Sequence, residues 1–241
     1  MRGLLGAIQF LTVFPVRRST AGPGAAAAFF PLVGAGVGWI GCGVFLAAQY
    51  WLGSAIAALL VIAFWIVITG AMHEDGLADV ADAFRAHRTP GRILEILKDP
   101  RVGAFGALSL LLSVSLRWQA LPILTTPLLP SFVAAQAIPR AAMVVLAYVS
   151  RPVGNGIGAQ FCGQMSLPIV LAVVVQGVAA AMWCGLRPGL VILCLTGAVV
   201  IAAHLYFDRR LGGITGDCLG AAAQVVEITI LLVLACQNCS W

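Results

Sequence analysis

The densest chemistry in the chain lies in His73-Glu74-Asp75-Gly76-Leu77-Ala78-Asp79-Val80-Ala81-Asp82. Asp75, Asp79 and Asp82 recur at i, i+4 and i+7, and at about 100° per residue they fall within roughly 60° of one another on a helix. Three carboxylates on one stripe repel each other, and no basic residue inside the stretch offsets them. A divalent cation removes that repulsion. Oxygen donors of this kind suit Mg²⁺ or Mn²⁺, which keep waters and share phosphate oxygens. The plainer alternative is a solvated acidic cap on a membrane helix. The position against a bilayer and the small neighbours Gly76, Ala78 and Ala81 favour the metal.

Two further blocks pair cations with glycines at a helix start. In Lys98-Asp99-Pro100-Arg101-Val102-Gly103-Ala104-Phe105-Gly106, Lys98 and Arg101 offer charge to a phosphate, and Gly103 offers a backbone N–H. Ordinary juxtamembrane basic residues are the alternative. Arg209-Arg210-Leu211-Gly212-Gly213-Ile214-Thr215-Gly216-Asp217 repeats the pattern, with Arg210 as the candidate phosphate contact. Asp217 either caps the following helix or holds metal. A flexible turn accounts for Arg151 to Gly158. His73 and His87 lack metal-ligand spacing, and His204 reads as structural.

These residues stand in an apolar setting. Of 241 residues, 61% are hydrophobic and 10% charged, where a soluble domain carries about a quarter charged. On a ruler of about 20 apolar residues per span, candidates fall near 26–48, 52–72, 103–123, 131–149, 167–184, 189–206 and 219–236. The chain is therefore expected to be all-α: one polytopic membrane bundle over 1–241, with six to seven spanning helices and short interfacial ones. Segment 4–14 is too short to span and reads as interfacial or re-entrant. Thr89-Pro90 marks the start of a short amphipathic surface helix.

Placing the N-terminus inside puts eleven of the fourteen basic residues in loops 1–25, 73–102, 150–166 and 207–218. Eight of the nine acidic residues share that face, so the active-site loops are expected to be cytoplasmic in a bacterial inner membrane. The exception, Glu227, sits inside the last span and needs a partner, for which Arg140 is the candidate. The net charge of +5 follows this topology and implies no nucleic-acid partner. The seven cysteines are scattered and read as incidental small hydrophobes, since Cys236-x-x-Cys239 lacks a second pair for zinc.

In family order, Gln9 to Thr12, Phe30 to Gly34, Thr69 to Asp82, Lys98 to Gly106 and Gly212 to Glu227 resemble the cobalamin synthase (adenosylcobinamide-GDP ribazoletransferase) family over nearly the whole chain. Three positions depart from its usual pattern: Glu74 replaces an apolar residue, Ala83 a glycine and Pro100 a serine. The resemblance implies a Mg²⁺-dependent transfer within the lipid bilayer. Adenosylcobinamide-GDP and α-ribazole, or its 5′-phosphate, give adenosylcobalamin, or its phosphate, and GMP. One substrate carries a diphosphate and the 5′-hydroxyl of the other is expected to attack its phosphorus, so metal-held carboxylates fit the task. Asp75 and Asp79 are the first metal ligands. Asp82 is a third ligand or the general base. Lys98, Arg101, Gly103, Arg210 and Asp217 are the candidate substrate contacts. A cation-coupled secondary transporter is the reading from another class, and it predicts paired broken helices in two related halves.

Overall fold

The computed structural model describes residues 2–15, 22–85, 88–154 and 157–236. Arg17, Arg18, His87 and Cys239, used in the readings above, lie outside the described residues. Twelve α-helices follow in order: α1 (Arg2–Leu11), α2 (Pro23–Ala27), α3 (Phe30–Leu52), α4 (Ser54–Thr69), α5 (Met72–Ala83), α6 (Pro90–Ile96), α7 (Ala104–Ala120), α8 (Leu128–Val149), α9 (Ile157–Cys162), α10 (Leu167–Trp183), α11 (Leu186–Leu211) and α12 (Gly216–Leu234). Each of the seven expected spans is a helix displaced by only a few residues. Five are long and apolar enough to cross a bilayer: α3, α7 with the 3₁₀ turn that extends it, α8, α11 and α12. The helix α10 is apolar but has 17 residues. The helix α4 qualifies only together with α5, to which it is bent by 90°.

That bend is the feature that builds the site. Gly70 (φ 62°) and Ala71 (φ 58°) both adopt the left-handed conformation between α4 and α5. For alanine this costs about 1–2 kcal/mol, a strain that must be held by its surroundings. The chain then re-enters as α5, packed antiparallel to α7 and to the first half of α12. Asp82 meets Gly103 at one end, and Glu74 meets Arg117 and Gln224 at the other. A single bent pair is present among the described residues, where an inverted repeat would supply two.

Close helix approach elsewhere relies on small residues, as lipid supplies little drive for association. Gly34 and Gly38 of α3 lie so near the backbone of Gln136 and Phe132 in α8 that added Cβ atoms would collide with it. The helix α8 is the central post, buried along most of its length. The short α1, with Ala7 and Leu11 buried, tethers to the end of α4 through Val13 N to Ile68 O at 2.9 Å. Thr89 caps α6 by accepting from Arg92 N, as the Thr-Pro pair predicts. The cysteines are not uniformly incidental: five described ones are free, but Cys236 is disulfide-bonded.

Candidate active site

The loops of one end converge on a cavity of about 770 Å³, lined from α1, α5, α6, α8, α9 and the start of α12. Gly76 and Gly220 set its acidic side. A Cβ on Gly76 would stand 2.8 Å from the Asp217 backbone oxygen, and one on Gly220 would stand 3.3 Å from Met72 O. With hydrogen at both positions, α5 and α12 cross close enough to bring Asp75 and Asp217 onto the same wall. Asp79, one turn beyond Asp75, sits among the charges of Asp75, Asp217 and Asp82. Lys98, past the end of α6, supplies the cation on this cavity.

The first turn of α12 separates two roles that its sequence leaves open. Thr215 is the cap, its hydroxyl accepting from Cys218 N at 3.5 Å and donating to Asp217 Oδ2 at 3.2 Å. Asp217 is thus not the N-cap residue, and it lines the cavity. Asp82 turns away from this wall toward α7. Its Oδ2 accepts from Gly103 N at 2.7 Å, capping a helix whose own N-cap residue, Gly103, has no side chain. The Gly103 N–H is accordingly committed to Asp82. The carbonyls of Asp82 and Ala83 that end α5 are covered by the Arg88 guanidinium.

Two candidate cations stand off the cavity wall. Arg101 is 86% exposed and forks onto Asp99, with Nη2 to Oδ2 at 2.6 Å and Nε to Oδ1 at 2.9 Å. The Arg101 hydrogen bonds hold the Asp99 carboxyl at about 2, below the usual carboxylate range. Arg210 donates to Arg85 O at 2.7 Å and lies over the Tyr206 ring, tying α11 to the end of α5.

Glu74 departs most from expectation. It adjoins Asp75 in sequence, but a 100° step on the helix sends it into the bundle rather than the cavity. There Arg117, 0% exposed, bridges Glu74 Oε1 at 3.0 Å and Glu227 Oε1 at 3.2 Å. Gln224 Nε2 adds a bond to Glu74 Oε1 at 3.2 Å. Arg140, the partner expected for Glu227, is present but stands farther off at 3.8 Å. Sequence reading left Arg117 without a role, although an arginine inside an apolar span is itself a signal of a buried partner. The loop after Arg151 is likewise more than a flexible turn. Val153 N to Ile214 O and Ile214 N to Arg151 O, at 2.9 and 2.8 Å, pin it to the start of α12, and Val153 and Gly158 line the cavity.

As a metal site, the donor set has the right chemistry for a hard dication, being carboxylate oxygen from Asp75, Asp79 and Asp217. Among the described residues no three acidic, histidine or cysteine side chains converge as a closed cage would need. The arrangement fits an ion that takes its remaining ligands from water and substrate.

A family described as cobalamin-5-phosphate synthase matches residues 3–235. An adenosylcobinamide-GDP ribazoletransferase from Mesorhizobium japonicum is 38% identical over 218 residues, covering 88% of this chain and 84% of that protein. Proteins of the same name from Ralstonia pickettii and Clostridium botulinum are 37% and 34% identical; they cover 95% and 94% of this chain and 93% and 94% of their own. No solved structure matches.

Proposed function

The chain belongs to the cobalamin-5-phosphate synthase family, and from that membership we propose that it joins adenosylcobinamide-GDP to α-ribazole, or to α-ribazole 5′-phosphate, with release of GMP. The observation that carries this reading is the meeting of Asp75, Asp217 and Lys98 on one cavity at the loop-rich end of the bundle. Transfer of a phosphoryl group between large polar substrates needs charge of both signs at the reacting phosphorus.

A ribose hydroxyl of the acceptor attacks the phosphorus nearer the corrinoid, and the P–O bond to GMP breaks. Because the 5′-phosphate of ribazole is also an acceptor in this reading, the attacking hydroxyl is one that both acceptors share, not the 5′ one. Asp75, with Asp79 or Asp217 beside it, would hold Mg²⁺; one or two carboxylates suffice for an ion that keeps waters and phosphate oxygens. That ion supplies Lewis-acid neutralisation of the diphosphate. Lys98 draws a phosphate oxygen toward the same wall. A carboxylate of the acidic cluster accepts the hydroxyl proton, for which Asp79, beside Asp75 and Asp217, is better placed than Asp82, whose Oδ2 already accepts from Gly103 N.

The loop-rich end faces the cytoplasm, and the membrane is the bacterial inner one. Basic residues crowd this end, as they do at the cytoplasmic ends of membrane spans. The test is GMP release from adenosylcobinamide-GDP in membranes containing the protein, with and without α-ribazole and with and without Mg²⁺. Release that needs both supports the reading, and release indifferent to α-ribazole sinks it.

A further inference from the structure

The cavity has two unlike walls, and only the acidic one is used by the chemistry above. The other is apolar, carrying Phe10 of α1, Phe161 of α9, Leu94 and Leu97 near α6, and Met143 of α8. Phe10, Phe30 and Phe161 stack in near-parallel planes. Phe10 to Phe30 is 5.2 Å at 27°, Phe10 to Phe161 is 5.7 Å at 21°, and Phe30 to Phe161 is 5.3 Å at 13°. Phe30 and Phe161 are both fully buried, which leaves Phe10, half-buried, as the ring of the three with surface on the cavity. Three helices distant in sequence thus hold their rings at one shared tilt, which fixes the plane of Phe10, the ring on which a further flat ring can lie parallel.

His73, on the same helix as Asp75, also lines the cavity; it is 1% exposed and has no protein hydrogen-bond partner at either Nδ1 or Nε2. Burying an imidazole with both nitrogens unpaired is costly. A ligand with hydroxyl or ring-nitrogen groups at this spot removes that cost. An apolar face, a buried unpaired hydrogen-bonding group and carboxylates on one cavity match a nucleoside read from base through sugar to reacting hydroxyl.

We propose that this half of the cavity is the acceptor's subsite: a flat heteroaromatic base lies against Phe10, which Phe30 and Phe161 hold from behind, His73 hydrogen-bonds the nucleoside, and the sugar hydroxyl points to Asp75 and Asp217. The assignment rests on the transfer reading above and adds which substrate sits where. The guanine of the other substrate is the wrong base for this wall. It carries an exocyclic amine, a carbonyl and a ring N–H along its edges, and the wall offers Gln9 and His73 against an otherwise apolar surface.

The test is equilibrium dialysis of labelled α-ribazole against the full-length protein in lipid nanodiscs, without corrinoid or Mg²⁺, with GMP as competitor. Saturable binding that GMP does not displace is expected. Phe10→Leu, which keeps bulk but loses the flat face, weakens it about fivefold or more, given the usual worth of base stacking on an aromatic ring. His73→Leu weakens it as well, and thermal unfolding checks that each variant is folded. Phe10 is only half-buried, so its variant is informative even if the fully buried Phe161 does not tolerate Leu. Unchanged affinity in folded Phe10→Leu and His73→Leu, displacement by GMP, or no saturable binding overturns the subsite. If these fail while GMP release still requires α-ribazole, the transfer reading stands and the subsite alone is lost. If GMP release never depends on α-ribazole, the transfer reading itself is what has failed.

Discussion

Replacing Arg117 with methionine keeps most of the stem and removes only the guanidinium. In the native protein that group is fully buried and holds Glu74 and Glu227 at 3.0 and 3.2 Å through one nitrogen. Glu74, Glu227, Arg117 and Arg140 form a buried set whose formal charges cancel. The variant leaves two carboxylates to Arg140, which approaches only Glu227, at 3.8 Å. Removing one partner from a buried ion pair costs about 3–5 kcal/mol, because the stranded charge remains desolvated. Arg117 serves two acids, but Arg140 screens one of them, so a loss within that range is expected rather than twice it. Glu74→Gln is the milder control. It keeps an acceptor for Gln224 and leaves Arg117 paired with Glu227, for a loss of about 1–3 kcal/mol. In Arg117→Met with Glu74→Met, the two changes should cost less together than their sum, since they share one contact. Unfolding by denaturing detergent can be followed through the buried free thiols of Cys42 and Cys218, which react only when exposed. A loss under about 1 kcal/mol for Arg117→Met, or strict additivity in the pair, would refute the clamp.

Asp75→Asn and Asp79→Asn should each nearly abolish GMP release at unchanged membrane abundance, because asparagine keeps an acceptor but loses the charge a hard dication needs; full activity of both at ordinary Mg²⁺ removes the metal assignment. Gly76→Ala places a Cβ 2.8 Å from the Asp217 backbone oxygen, so α5 and α12 must part, at about 1–3 kcal/mol of stability and with reduced turnover. Wild-type unfolding and turnover in that variant would show that the crossing gives way freely. Thr89→Cys, in a chain whose other cysteines are replaced, should react with impermeant thiol reagents only from the cytoplasmic side; labelling in intact cells inverts the topology.

Much of this protein is decided locally. Apolar runs on the scale of a bilayer locate the helices to within a few residues, because span length is a property of consecutive residues and lipid thickness. The Thr89-Pro90 start of α6 is equally local, resting on one hydroxyl and one fixed φ. The i, i+4, i+7 acids of α5 mark the site for the same reason: helical periodicity alone puts them on one stripe. What α5 faces is another matter. That Asp75 reaches the cavity while Glu74 enters an ion cluster depends on α7 and α12, whose contacting residues lie 43 to 150 positions away. No local pattern encodes which of two neighbouring carboxylates will meet an arginine from another span. The same holds for Asp82, which its own stripe offers as a ligand and which α7 takes as a cap. It holds for Phe10 and Phe161, ordinary apolar residues in sequence that become a stacked pair beside the cavity when α1 and α9 pack together. Residue type and spacing set what each side chain is able to do. The left-handed bend at Gly70 and Ala71 and the close crossing at Gly76 and Gly220 set which of them meet.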